Sequence, residues 1–90
     1  MASFKKMRGC KKSEREQGLI HYTCLDYKNQ PRWMQQKIDR LCLQAGGQYA
    51  SALKTLLLNA DRWTCERVAM DYYISANTLW AARRRFYNMW

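Results

Sequence analysis

Residues 64–85 read Thr64-Cys65-Glu66-Arg67-Val68-Ala69-Met70-Asp71-Tyr72-Tyr73-Ile74-Ser75-Ala76-Asn77-Thr78-Leu79-Trp80-Ala81-Ala82-Arg83-Arg84-Arg85. A Thr or Ser hydroxyl accepts N–H groups that the first turn of a helix leaves unpaired. Thr64 therefore predicts a short helix over about 65–73, and Ser75 a longer one over about 76–89. Only Tyr73-Ile74-Ser75 separates them, and two helices joined by so tight a turn make a helix-turn-helix. Counted from Cys65, the inward positions of such a motif fall on Val68, Ala69, Tyr72, Ile74, Leu79 and Ala82, all apolar or aromatic. The small Ala69 falls where the second helix crosses closest. The turn position usually held by glycine is Tyr73, which predicts a strained or altered turn at a cost of about 1 kcal/mol.

The stretch Val68 to Leu79, followed by Arg83-Arg84-Arg85, resembles the C-terminal helix-turn-helix of sigma-region-4-like proteins. It is also similar to the small late-transcription regulators of phages of Gram-positive bacteria. The resemblance covers residues 64–90 and implies a DNA-binding regulator of transcription, encoded by a phage or mobile element and working in the bacterial cytoplasm.

On that reading the last helix enters the major groove, with Ser75, Ala76, Asn77, Trp80, Ala81 and Arg84 turned outward. Asn77 can pair bidentately with adenine, Ala76 can touch a thymine methyl, and Arg84 can take guanine or a phosphate. Thr78 and the amides near the cap suit a backbone phosphate. Trp80 is unusual on a recognition face and suits a protein partner too, since buried Trp dominates interface hot spots. Arg83, Arg84 and Arg85 step round a helix by about 100° each, so at most two can face DNA. All three also suit the negative end of a helix.

Outward from this motif, the rest of the chain also reads as helices. Ser13-Glu14-Arg15-Glu16 is a capping box, opening a helix over about 14–27 that buries Leu19, Ile20, Tyr22 or Thr23, Cys24 and Tyr27. Pro31 starts a second, with Met34, Ile38, Leu41, Cys42 and Ala45 at three- and four-residue steps until Gly46-Gly47 stops it. A third over about 48–59 turns Tyr49, Ala52, Leu53, Leu56 and Leu57 to one face. With one Val and no alternating stretch, strands are not expected. The fold class is all-α: a small bundle of about five helices with a C-terminal helix-turn-helix. The expected core is Leu19, Ile38, Leu41, Leu53, Leu56, Val68, Ala69, Ile74, Leu79 and Phe86. The aromatics Trp33, Tyr49, Trp63, Tyr72, Phe86 and Tyr87 are expected inside as well.

Ninety residues suit one domain, here 13–90, with residues 1–12 as a flexible basic arm. The net charge of +9 is concentrated at the ends. Residues 1–15 carry six basic and one acidic side chain, and 83–90 carry three arginines, whereas 16–82 are nearly neutral. That points to a polyanion, with double-stranded DNA first. The arm's Lys5, Lys6, Arg8, Lys11 and Lys12 can track phosphates, or serve only as a solubilising tail.

Other classes find little support. No apolar run is long enough to span a membrane, and the basic start lacks the apolar stretch of a Sec signal. A single His, scattered acids and no phosphate-binding glycine loop argue against an enzyme. His21 and Cys24 are two ligand types on one helix, but Cys10, Cys42 and Cys65 lack zinc-like spacing, so packed thiols are expected and no metal or other cofactor. The competing class is a phage-encoded inhibitor or adaptor built on the same motif, such as an anti-CRISPR docking on a CRISPR effector or a factor binding a host's RNA polymerase. Trp80 and Trp90 favour that class, Asn77 and Arg84 base readout. A homodimer is compatible with either.

Overall fold

Capping side chains set where the helices begin. In the computed structural model, which describes residues 6–90, Ser13 Oγ accepts the Glu16 N–H at 3.1 Å and opens α1 (Glu14–Leu25). Pro31 precedes α2 (Arg32–Gly46), and Gly47, at φ +56°, ends it. A 3₁₀ turn leads into α3 (Ala50–Leu58). Thr64 Oγ1 accepts the Arg67 N–H at 3.1 Å to open α4 (Cys65–Asp71). Ser75 Oγ accepts the Asn77 N–H at 3.1 Å to open α5 (Ala76–Met89). The described residues are all-helical and contain no strand. None of these helices is long and apolar enough to cross a membrane.

The core gathers on α5. Leu79, Ala82, Phe86 and Tyr87 are all fully buried, and α5 packs most extensively against α2, which contributes Ile38, Leu41, Cys42 and Ala45. Leu53, Leu56 and Leu57 of α3 and Val68 and Ala69 of α4 complete the cluster. At about 25 cal/mol per Å² of apolar surface, each buried Leu or Phe contributes roughly 1.5–3 kcal/mol. Tyr27 Oη donates to Asp39 at 2.9 Å, and Lys54 Nζ pairs with the same carboxylate at 2.8 Å, tying the turn after α1 to α2 and α3.

Several apolar residues lie outside this core. Leu19, expected inside, is 67 % exposed, and Tyr22 is exposed with it. The inward face of α1 is instead Gln17, Ile20, His21 and Cys24, one helical stripe in which two positions are polar. Gln17 takes its place because its amide binds the backbone of residues 7 and 12. Trp33 is also exposed. Tyr72 sits on the rim, its hydroxyl 2.7 Å from Thr55 Oγ1, and Ile74 is half-buried against the core. Tyr49 and Trp63 are half-buried too.

The connection between α4 and α5 turns on Tyr73. Its φ of +57° is the single positive value among the described non-glycine residues. The Ile74 N–H reaches back to Ala69 O at 3.0 Å and the Tyr73 N–H to Met70 O at 3.2 Å. That is the paired closure of a Schellman motif, with tyrosine where glycine is usual. The side chain is 95 % exposed, so little packing offsets the strain. Tyr73→Gly is therefore expected to raise stability by about 1 kcal/mol. The check is the urea midpoint at unchanged slope; a lower midpoint would mean that the phenol itself holds the turn.

Candidate nucleic-acid interface

With Leu79, Ala82, Phe86 and Tyr87 inward, helical geometry leaves Asn77, Ala81, Arg84 and Asn88 along the opposite side of α5. Asn77 and Arg84 are exposed, Ala81 and Asn88 partly so. Ser75 is exposed at the cap and Thr78 is half-buried. Two residues expected on this face are not presented freely. Ala76 is packed against the core, and its carbonyl lies 3.6 Å from Cys65 Sγ. Trp80 is likewise half-buried against the core, with the Arg83 guanidinium 5.2 Å from its ring centre.

The three arginines part company. Arg83 turns inward between Trp80 and Tyr87, 5.5 Å from the Tyr87 ring centre. Arg85 donates from Nε to Ala45 O at 3.0 Å, satisfying a carbonyl in the last turn of α2. Arg84 alone lies on the outer stripe.

Residues 6–12, expected within a flexible arm, are instead held against the helices. Met7 is buried, at 6 % exposure. Its N–H donates to Gln17 Oε1 at 2.8 Å, and Gln17 Nε2 donates to Lys12 O at 2.9 Å. Gln17 is itself fully buried. One amide, carrying an acceptor and donors, thus fastens both ends of the segment. At its middle, the Lys11 N–H donates to Asn88 Oδ1 at 2.7 Å, and the Cys10 thiol donates to the same oxygen at 3.4 Å. Gly9, at φ +75°, passes so close to Arg84 that a Cβ there would stand 3.2 Å from Arg84 Nε. The strap therefore crosses the C-terminal half of the α5 stripe and leaves Asn77 and Ala81 open. Lys6, Arg8 and Lys11 are exposed and Lys12 is half-exposed. Lys5 lies outside the described residues.

Beneath α5, burial governs the titratable groups. Burial pushes the Cys24 and Cys42 thiols up to about 12 and Cys65 up to about 11. All three remain protonated at neutral pH, and none is a ready nucleophile. Among the described residues no group of three or more His, Cys, Asp or Glu could hold a metal ion. Gly9, Gln17 and Asn88 are the members of this site that sequence reading misses. A buried Gln at an inward helical position is their one visible signal, and it shows only once the phase of α1 is known.

Comparison of the chain with family models, with curated proteins and with solved structures gives no match.

His21, 7 % exposed, carries the pH dependence of this layer. Desolvation first, and then the positive charge of Arg83, hold its imidazole below the ordinary 6.5, with Asp61 opposing them. A group whose pKa is lowered by folding binds more protons unfolded, so its contribution is full above the unfolded value and is lost as pH falls. Melting temperatures between about pH 8 and pH 5 should decline below pH 6.5. That decline should flatten in His21→Gln; the same slope in both proteins would assign it to other groups.

Proposed function

We propose that the protein is a non-enzymatic DNA-binding regulator. On this reading α4, the Tyr73 turn and α5 form a helix-turn-helix within a bundle of five helices, and α5 lies in the major groove. The observation that carries it is the meeting of the two basic ends of the sequence: the Lys11 backbone N–H donates to Asn88 Oδ1 at 2.7 Å, and Gly9 lies against Arg84. The backbone from Gly9 to Lys11 thus runs beside Arg84 and Asn88, next to an uncharged helix start bearing Asn77, and Lys6, Arg8 and Lys11 of the same segment are exposed. A cationic border around a neutral reading edge suits phosphates at the rim and bases at the centre.

The roles divide accordingly. Asn77 pairs with adenine, and Ala81 contacts a thymine methyl through its half-open side. Ser75 and Thr78, in the first turn, border a phosphate. Arg84 takes guanine or a phosphate. Trp80 supports α5 from beneath. Transcription control, a phage or mobile-element origin and a cytoplasmic site of action are part of the same proposal and rest on the resemblance read in residues 64–90 alone.

A second reading, a protein-binding inhibitor or adaptor, is favoured by Trp33 and Leu43, 64 % and 65 % exposed on α2. It loses the support of Trp80 and Trp90, since both pack against the core.

Duplex titration separates the two, beginning with the DNA upstream of the protein's own coding sequence. Asn77→Ala should weaken the preferred duplex by about 1–3 kcal/mol and leave non-specific binding nearly unchanged. Absence of any duplex preference, together with an Asn77→Ala variant indistinguishable from wild type, would end the DNA reading.

A further inference from the structure

We infer that the strap of residues 6–12 is a preformed phosphate clamp, and that Gln17 and Asn88 are positioning residues for it. The inference rests on the DNA reading and adds a fixed second element to the binding surface. A basic tail that merely trails along phosphates needs no anchor. This one has anchors from two helices, and both are amide side chains bound to its backbone.

Gln17 spans the strap from Met7 N–H, at 2.8 Å, to Lys12 O, at 2.9 Å. Asn88 Oδ1 accepts the Lys11 N–H at 2.7 Å and the Cys10 thiol at 3.4 Å. The Met7 N–H lies away from water and needs such a partner, whereas the Lys11 N–H is exposed and its bond to Asn88 serves to hold the strap in place. The strap's own side chains divide in turn. Met7 is buried as a peg, whereas Lys6, Arg8 and Lys11 are exposed. Gly9 lets the backbone run against Arg84, since a Cβ there would meet Arg84 Nε at 3.2 Å. The strap thereby borders Arg84, the arginine of the triplet that lies on the stripe opposite the core.

A phosphodiester backbone is the ligand class that fits several exposed cations carried on an anchored backbone beside an open helix. Because the backbone that carries the cations is held before binding, the complex avoids the cost of immobilising a free arm. If loss of an anchor leaves the strap closed one-tenth of the time, affinity falls by about tenfold. Since phosphates carry no sequence information, the loss should be equal for every duplex.

The test is Gln17→Leu, which roughly keeps the buried volume, replaces the amide by an apolar group and removes both hydrogen bonds. Expected are faster tryptic cleavage after Arg8, Lys11 and Lys12, a roughly tenfold loss of affinity on cognate and unrelated duplexes alike, and an unchanged ratio between them. A structural role alone would not predict the next result. With Arg8→Gln, Lys11→Gln and Lys12→Gln already present, adding Gln17→Leu should cost no further affinity. Should Gln17→Leu fail to fold, Asn88→Ala removes the middle anchor and is expected to give the same pattern. A freely cleaved strap with wild-type affinity, a gain in affinity, or an equal further loss in the neutralised background would overturn the clamp. If wild type shows Asn77-dependent selectivity while affinity ignores both anchors, the clamp alone fails. If wild type binds no duplex, the DNA reading fails with it.

Discussion

The burial of one stripe of α5 is the constraint on which the rest depends. Leu79, Ala82, Phe86 and Tyr87 have no exposed surface, and they fix the rotation of the helix against α2. Once that rotation is set, the consecutive Arg83, Arg84 and Arg85 must point in three directions. Arg83 is then held between aromatic rings, Arg85 on a carbonyl of α2 at the exposed edge, and Arg84 lies on the outer stripe. Asn77 and Ala81 face outward for the same reason. The proposed reading edge is thus a by-product of core packing, and overpacking near Ala82 would misdirect it as surely as changing Asn77.

A second constraint is the supply of partners for buried backbone. Residues 6–12 form no helix, yet Met7 is inside, so its buried N–H requires a side-chain partner. Gln17 provides it, and this explains why a fully buried glutamine faces inward on α1 while Leu19 faces solvent. Exchanging the two would leave unsatisfied strap groups, each costing about 1–3 kcal/mol. An exposed leucine costs far less, and the fold takes the cheaper arrangement.

The helices were legible where one physical signal dominated. Ser13, Thr64 and Ser75 announced their caps, Gly47 its helix end, and the three- and four-residue steps from Ile38 to Ala45 and from Ala52 to Leu57 their buried faces. Counting positions along the helix-turn-helix pattern puts a strained or altered turn at Tyr73, and the residue is left-handed there. Reading failed where a residue's place depends on a distant segment. Apolar character alone points α1 to the wrong face, because Leu19 and Tyr22 are apolar and Gln17 and His21 are not, while the strap that recruits Gln17 lies outside the helical period. Tyr72 and Trp33 were expected inside because aromatics usually are, but Tyr72 reaches Thr55 from the rim and Trp33 begins α2 beyond the reach of the core. Trp80 was expected outside, and the stacking of Arg83 over its ring was not visible in the sequence.

The central claim is that the strap and the open half of α5 form a single binding surface for DNA. Amide chemical-shift mapping of isotopically labelled protein during a duplex titration tests it most directly. Residues 6–12 and 75–84 should shift together, with one common saturation curve, while the exposed face of α2 around Trp33 and Leu43 stays unchanged. Shifts confined to α2, or strap and helix saturating at different duplex concentrations, would contradict it.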